Sequence, residues 1–140
     1  MNLTIAALQL TGLVSLSPQF SQMKYNQFTC KGCKFSRSFS EIAALKQFNT
    51  VKFVDTKFLR FLNGAVSIES QDFTKRNFSE PSNFSEESVT FHKCLFLECS
   101  NTRSGGAIYA TSREEECHIA IQNCGFYRCA SEREGGALCI

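Results

Sequence analysis

The chain has 140 residues, of which 43% are hydrophobic and 20% charged, a composition typical of one folded domain and not of a disordered chain. The formal net charge is +2 and the basic residues are interspersed with glutamates, which argues against a nucleic-acid-binding or membrane-surface protein. The eight cysteines are many for a cytosolic protein and few for a disulfide scaffold. Their oxidation state therefore depends on the compartment, and an oxidising one would favour disulfides.

The N-terminal segment, residues 1–23, contains no charged residue and is largely apolar from residue 3 to residue 16. An apolar run of this length is typical of a signal peptide, but a basic start and a small-residue cleavage site are both missing. Leu3, Ile5 and Ala7 instead alternate as residues of a strand do. The sequence leaves two alternatives for this segment, a signal peptide or a first, capping strand.

Two degenerate copies of a repeat follow, within residues 28–38 and 53–66. Each copy places a Phe two residues after a Cys or Thr, at Cys33 and at Thr56. Between the copies, residues 40–48 begin with a Ser cap and contain good helix formers. For this stretch we expect either a capping turn or a degenerate strand.

Residues 70–88 are polar and carry two N-glycosylation sequons, at Asn77 and Asn83, in addition to the one at Asn2. The two central sequons lie in a turn-like stretch, as surface glycosylation sites do. If the chain is secreted, we expect Asn77 and Asn83 to be N-glycosylated.

The clearest feature of the sequence is an internal repeat, because residues 91–110 match residues 121–140 at a constant offset of 30. Seven of the twenty positions are identical, where about one is expected from average composition. The identical residues are Cys94, Phe96, Cys99, Arg103, Gly105, Gly106 and Ala107 in the first copy and Cys124, Phe126, Cys129, Arg133, Gly135, Gly136 and Ala137 in the second.

The repeat predicts a solenoid of stacked strands, since the units contain Phe, Val, Ile, Thr and Cys in short alternating runs with no helical periodicity. The Gly-Gly pairs predict tight corners with positive φ, and the Ala after each pair permits close approach. We therefore predict an all-β parallel β-helix of about four irregular coils over residues 24–140. Stacking would then align Cys94 with Cys124, Ile108 with Leu138, and the phenylalanines of successive coils: Phe35, Phe58, Phe96 and Phe126.

The Gly-Gly-Ala-[Ile/Leu] motifs at 105–108 and 135–138, each preceded by a Phe-containing step, resemble the repeats of the polymorphic outer-membrane protein family of chlamydiae and the similar repeats of parasitic protists. The resemblance is strong over residues 89–140 and weaker over 28–68. The family's Phe-x-x-Asn step reads Phe-x-x-Cys here. The resemblance implies a secreted or surface-exposed right-handed β-helix that serves adhesion or antigenic variation and meets a host or cell-surface protein or glycan.

The cysteines give no clear metal or redox site. Cys30-Lys-Gly-Cys33 is a single C-x-x-C without a second pair, and the only two histidines, His92 and His118, belong to different repeats. We predict that the repeat cysteines pack as small hydrophobic residues, with no metal and no cofactor. In a secreted protein Cys117 is the best candidate for a cross-link outside the stack.

The arrangement of the acidic residues does not indicate a catalytic site, so we predict no catalytic residue and no enzymatic activity. Glu114–Glu116 form one charged run, and Glu132 and Glu134 another, but neither run is paired with an Asp. A solvated loop explains them better than the carboxylate pair of a glycosidase. The alternative is a fragment of a β-helical enzyme that binds or cleaves carbohydrate.

The chain stops at Ile140, directly after the second Gly-Gly-Ala-Leu motif. An open strand edge at this point invites further strands, so we expect a longer natural protein or end-to-end stacking with further coils. The repeats then supply a rigid platform, and loops 70–88, 100–104 and 111–117 are the predicted recognition elements.

Overall fold

The computed structural model describes residues 2–12, 25–45, 48–70, 87–112 and 117–140. Throughout these ranges the chain forms strands, turns and bends, and no helix occurs in them. In particular, these residues contain no helix long and apolar enough to span a membrane.

Sixteen short strands make up the described part of the chain. In chain order they are β1 (Asn2–Ala6), β2 (Gln9–Thr11), β3 (Tyr25–Lys31), β4 (Lys34–Ser38), β5 (Ala43–Leu45), β6 (Phe48–Val54), β7 (Lys57–Phe61), β8 (Val66–Ser70), β9 (Glu87–His92), β10 (Leu95–Leu97), β11 (Ser100–Asn101), β12 (Ile108–Ser112), β13 (Cys117–Gln122), β14 (Gly125–Tyr127), β15 (Ala130–Ser131) and β16 (Leu138–Cys139).

The strands form parallel sheets in which neighbours come from successive repeats. The sheets run β1-β3-β6-β9-β13, β2-β4-β7-β10-β14, β5-β8-β12-β16 and β11-β15. Each described range therefore acts as one layer, and the layers are numbered 1 to 5 in chain order: 2–12, 25–45, 48–70, 87–112 and 117–140. The all-β class and the parallel pairing predicted from the sequence are confirmed.

The predicted alignment of phenylalanines is also confirmed, because Phe35, Phe58, Phe96 and Phe126 occupy the same register in adjacent strands. The rings of Phe58 and Phe96 lie parallel with centroids 4.7 Å apart, and those of Phe96 and Phe126 with centroids 4.8 Å apart. Leu10 occupies this register in layer 1. Offset stacking of this kind adds to the free energy gained by burying the rings.

The core is dominated by aromatic residues. Seven phenylalanines among the described residues are at most 1% exposed: Phe28, Phe35, Phe53, Phe58, Phe61, Phe91 and Phe96. Burial of each such side chain stabilises the fold by about 2 kcal/mol relative to exposure. The third sheet contributes small and aliphatic residues, with Ile108 aligned between Val66 and Leu138 as the offset of 30 predicts.

Equivalent corners in successive layers have the same left-handed backbone conformation. The corner after the first-sheet strand has a φ of 49° to 63° in every layer, at Ala7, Gly32, Asp55, Lys93 and Asn123. A second such corner lies at Gly12, Arg37, Arg60, Glu98 and Arg128, and a third lies in layers 4 and 5 at Gly105 and Gly135. Because a non-glycine residue in this region costs about 1 kcal/mol, its recurrence shows that the corner geometry is imposed by the stack.

The predicted Gly-Gly corners are confirmed, and the two glycines of the layer 4 pair have different roles. Gly105 and Gly135 have positive φ, as expected, whereas Gly106 does not. A Cβ at Gly106 would collide with the carbonyl oxygens of Ala130 and Gly136 in the next layer, so Gly106 is required for close approach.

The structure resolves one of these alternatives, because residues 40–48 contain strand β5 and the start of β6 instead of a capping turn. Residues 2–12 contain strands β1 and β2, and cleavage of residues 1–23 as a signal peptide stays a prediction. These strands add a layer to the four that the Cys or Thr steps predict. The glycosylation sequons at Asn77 and Asn83 lie outside the described residues.

The predicted loops need narrower boundaries. The loop predicted at 111–117 is too long, because β12 continues to Ser112 and β13 begins at Cys117. Cys117 is therefore a strand residue paired in register with Glu87, and the prediction that placed it in a loop was wrong. The predicted loop 100–104 is also too long, because Ser100–Asn101 is strand β11. The predicted loop 70–88 overlaps the end of β8 at Ser70 and the start of β9 at Glu87.

Candidate functional site

Four equivalent side chains close the first corner of layers 2 to 5: Cys33, Thr56, Cys94 and Cys124. Each one donates a hydrogen bond to the carbonyl two residues earlier and to a carbonyl of the preceding layer. The Thr56 hydroxyl lies 3.0 Å from the oxygen of Val54 and 3.3 Å from that of Cys30. The Cys94 thiol lies 3.5 Å from the oxygen of His92 and 3.4 Å from that of Phe53. The thiols therefore have the structural role of a hydroxyl, tying one layer to the next.

The second corner repeats this arrangement in layers 4 and 5. The Cys99 thiol donates to the oxygens of Leu97 and Phe58, and the Cys129 thiol donates to those of Tyr127 and Phe96. Cys94 and Cys99 are at most 2% exposed, which confirms the predicted packing of these cysteines as small buried residues. Cys124 and Cys129 are half-buried against the same core.

Thiol chemistry follows from this burial. Burial raises the pKa of Cys94 to about 12, and it is also the largest cause of the raised pKa of Cys30. The pKa of Cys99 is raised first by its hydrogen bond with Cys129 and then by burial. The same hydrogen bond lowers the pKa of Cys129, which is the more exposed member of the pair. Because the thiolate is the nucleophilic form, the buried cysteines with raised pKa values, Cys30, Cys94 and Cys99, are expected to be unreactive.

The C-x-x-C motif has no sign of a metal site. Both Cys30 and Cys33 are fully buried core residues, and the seven cysteines whose side chains are described are free thiols. Within the described ranges, no group of three or more His, Cys, Asp or Glu side chains is placed to hold a metal ion.

On the outside of the second corner, one glutamate contacts arginines from the layers on either side of it. Glu98 in layer 4 accepts a hydrogen bond of 2.8 Å from Arg60 in layer 3 and lies 3.5 Å from Arg128 in layer 5. The hydrogen bond from Arg60 is the main cause of the lowered pKa of Glu98. Arg128 also lies over the ring of Tyr127, with 5.3 Å from the guanidinium carbon to the ring centroid. These arginines have partners within the stack.

A polar groove of about 710 Å³ lies at the third corner. Its lining comes from layers 2 to 5: Ser40, Glu41, Asn63, Ser67, Asn101, Thr102, Arg103, Ser104, Tyr109 and Arg133. Four layers spaced about 4.8 Å apart give the groove a length of about 14 Å along the stack. A concave site with convergent polar groups is the best candidate for ligand binding in the described part of the chain.

The loops that carry the two groove arginines are held in register by backbone hydrogen bonds. Arg133 donates its N–H to the oxygen of Arg103 at 3.1 Å, and Gly105 donates to that of Glu134 at 3.0 Å. The Asn101 side chain shapes the layer 4 loop that carries Arg103. Its oxygen accepts the N–H of Arg103 at 2.9 Å, and its amide donates to the carbonyl oxygen of Ser104. Arg103 and Arg133 therefore occupy equivalent positions one layer apart, both exposed and both lining the groove.

The sequence identified Arg103 and Arg133 only as repeat identities and placed no function on them. A signal was present nevertheless, since two residues of like charge recur at the offset that stacks them. Of the predicted acidic loops, Glu132 and Glu134 take part through their backbone groups in the loop stacking. Glu114–Glu116 lie within residues 113–116, outside the described residues.

Neither a protein-family model, nor a curated protein sequence, nor a solved structure matches this chain. The function is therefore argued from the geometry of the groove and of the stack that carries it.

Proposed function

We propose that the chain is a segment of a right-handed parallel β-helix that acts as a non-catalytic recognition platform on a cell surface or in the extracellular space, in adhesion or as a surface antigen. The fold part of this proposal is supported by sheets in which every pairing is parallel and every neighbour is the next layer. It is also supported by corners that repeat the same backbone conformation. The motifs at 105–108 and 135–138 add their resemblance to the repeats of polymorphic outer-membrane proteins.

The groove is the observation that carries the functional part. Its walls come from four consecutive layers whose backbones are fixed by ladders of hydrogen bonds, so the backbone of the groove is in place before any ligand arrives. A preorganised concave surface loses little entropy on binding, which favours recognition. In a solenoid the side chains at one corner of successive layers form such a surface naturally.

The alternative is a fragment of an enzyme that binds or cleaves carbohydrate in the same groove, and cleavage would require catalytic groups in addition to a binding surface. Hydrolysis of a glycosidic bond ordinarily uses two carboxyl groups on opposite sides of the bond. Glu41 is the only carboxylate among the described lining residues. The lining therefore favours a groove that binds its ligand over one that cleaves it.

Stacking on further coils is part of the same proposal. The outer face of layer 5 carries Ile121, Phe126 and Leu138, which are half-buried against the core. Layer 4 presents equivalent residues to layer 5, so the outer face of layer 5 has the chemistry that receives another layer. The partner proposed here is a further coil of a longer chain.

The recognition role is tested by adhesion of protein-coated beads to cultured epithelial cells, with albumin-coated beads as the baseline. Asn63→Trp places a large ring at the mouth of the groove from an exposed position. Lys57→Trp, the control, places the same ring at an exposed position on the second sheet, away from the groove. We expect wild-type and Lys57→Trp beads to adhere equally and Asn63→Trp beads to return toward the baseline. Adhesion at the albumin level, or adhesion that ignores Asn63→Trp, contradicts the proposal.

The surface location is tested on the native protein by its N-terminal sequence and its intact mass. Cleavage within residues 1–23 or added glycan mass supports export. An unmodified intracellular product with the initial Met retained argues against it.

A further inference from the structure

Two arginines lie one layer apart in the groove, and the glutamates that flank Arg133 in sequence, Glu132 and Glu134, are exposed and are not among the lining residues. Arg103 and Arg133 are exposed, and neither guanidinium has an ion-pair partner among the described residues. Two guanidinium groups of like charge repel each other, and a groove with low-dielectric walls strengthens the repulsion. An arrangement of this kind becomes favourable when an anionic group binds between or across the two arginines.

The second corner of the same layers pairs its stacked arginines with a glutamate. There Glu98 lies between Arg60 and Arg128 and contacts both. At the third corner, Glu41 is the one carboxylate of the described lining, and it belongs to layer 2, two layers away from Arg103 and three from Arg133. These separations along the stack are about 10 Å and about 14 Å, both longer than the Debye length at physiological salt.

The remainder of the lining suits a polyhydroxylated ligand. Hydroxyl and amide groups line the groove along its length, at Asn63, Ser67, Thr102 and Ser104. Tyr109, half-buried on β12, adds an aromatic side chain with a polar end. Such groups both donate and accept hydrogen bonds, as the hydroxyls of a sugar require.

We propose that the groove binds a linear acidic saccharide whose sulfate or carboxylate groups pair with Arg103 and Arg133 and whose sugar hydroxyls bond to the polar lining. The planar guanidinium forms two parallel hydrogen bonds to either anion, so the two sources share one chemistry. The saccharide lies along the stack, with its charged part at layers 4 and 5. Glu41 at the layer 2 end disfavours a further anion there. The inference rests on the proposed recognition function and names its ligand class.

Isothermal titration calorimetry with three hexasaccharides tests the inference and separates the two anion sources. The probes are a heparin hexasaccharide, a galacturonic acid hexamer and neutral maltohexaose. We expect one or both acidic probes to bind and maltohexaose to bind at least tenfold more weakly. A heparin preference assigns sulfate as the ligand group, and a galacturonate preference assigns carboxylate.

Matched arginine variants locate the site. Arg103→Gln and Arg133→Gln should each weaken the bound acidic probe by about tenfold or more, because each removes charge-assisted hydrogen bonds. Arg60→Gln and Arg128→Gln remove the same charge from the second corner and should leave the affinity within about twofold. Arg103→Lys should recover part of the loss, since it restores charge without the bidentate geometry.

Three results overturn the inference: no binding of either acidic probe, equal losses from groove and second-corner variants, or maltohexaose binding as tightly as the acidic probes. A duplex DNA oligonucleotide that binds more tightly than both saccharides, with the same dependence on Arg103 and Arg133, also overturns it in favour of a polyphosphate. Because both arginines are exposed, thermal unfolding of the variants is expected to match wild type. The titration uses defined saccharides, so its failure is distinguishable from failure of the adhesion experiment.

Discussion

Layers 4 and 5 carry the same motif 30 residues apart and yet differ in burial. Phe96 and Cys99 in layer 4 are fully buried, whereas Phe126 and Cys129 in layer 5 are half-buried. The reason is position, because layer 4 lies between two described layers and layer 5 contacts only one. The motif thus specifies strand, corner and register within a layer, and the neighbouring layers determine how far each side chain is buried.

The chemistry of equivalent residues diverges for the same reason. The pKa of Cys99 is raised, while its hydrogen bond lowers the pKa of Cys129. Two cysteines with identical sequence context thereby become a buried thiol and a more readily ionised one. Matched substitutions in the two layers are the direct way to test whether position or sequence controls stability and chemistry.

The largest difference is expected for the phenylalanines. Phe96→Ala should lower the free energy of unfolding by about 4 kcal/mol, since the ring is fully buried and stacks on Phe58 and Phe126. Phe126→Ala removes a half-buried ring stacked on Phe96 alone and should cost about 2 kcal/mol. Urea unfolding followed by circular dichroism measures both, with Phe39→Ala, 51% exposed, as the control. Equal costs at the two positions would contradict the control of burial by neighbouring layers.

The glycine corners should show the next largest difference. Gly106→Ala forces a Cβ against the carbonyl oxygens of Ala130 and Gly136 and should cost about 3 kcal/mol, because backbone and not a flexible side chain must move. A Cβ at Gly136 meets nothing within 4 Å, so only its φ of 34° opposes substitution, and Gly136→Ala should cost about 1 kcal/mol.

Thermal and urea unfolding of the two glycine variants measure this difference. Adding one further repeat after residue 140 sharpens the comparison, since the next layer should then raise the cost at Gly136 toward that at Gly106. A Gly106→Ala variant as stable as Gly136→Ala would mean that the third-corner loops are not closely stacked.

The part of the fold predictable from sequence is the part that depends on spacing. The ungapped offset of 30 placed Phe96 on Phe126 and Ile108 on Leu138, and the shared Phe step aligned even the degenerate copies at Phe35 and Phe58. Layer 1 was not predictable with certainty, because Leu10 stands where later layers have Phe and the segment also has the composition of a signal peptide.

The groove escaped prediction for a different physical reason. It combines Ser67 of strand β8 with Arg103 and Arg133 of the third-corner loops, and which of these residues converge depends on corner geometry that no short motif specifies. The pairing of Glu98 with Arg60, 38 residues away, is of the same kind. The arginine repeat was visible, but only the three-dimensional positions of the acids show that, among the described residues, Arg60 and Arg128 contact a glutamate and Arg103 and Arg133 do not.

Alkaline pH provides the subtlest comparison between the layers. The pKa of Cys94 is raised to about 12 by burial, so the folded protein holds this proton more tightly than the unfolded chain, in which a thiol titrates near 9. The resulting stabilisation is complete below pH 9 and is lost as pH rises from about 9 to about 12, at about 1.4 kcal/mol per pH unit.

Cys94→Thr removes this titration and retains a donor for both carbonyls, as Thr56 demonstrates at the equivalent corner. Between pH 8 and pH 10.5 the wild type should therefore lose about 2 kcal/mol more than Cys94→Thr, measured by urea unfolding at each pH. Cys94→Ser is the matched variant, since it also removes the thiol and keeps a hydroxyl donor, and it should reduce the alkaline loss to the same extent. If neither variant reduces the loss between pH 8 and pH 10.5, burial of the Cys94 thiol is not what destabilises the folded protein at alkaline pH.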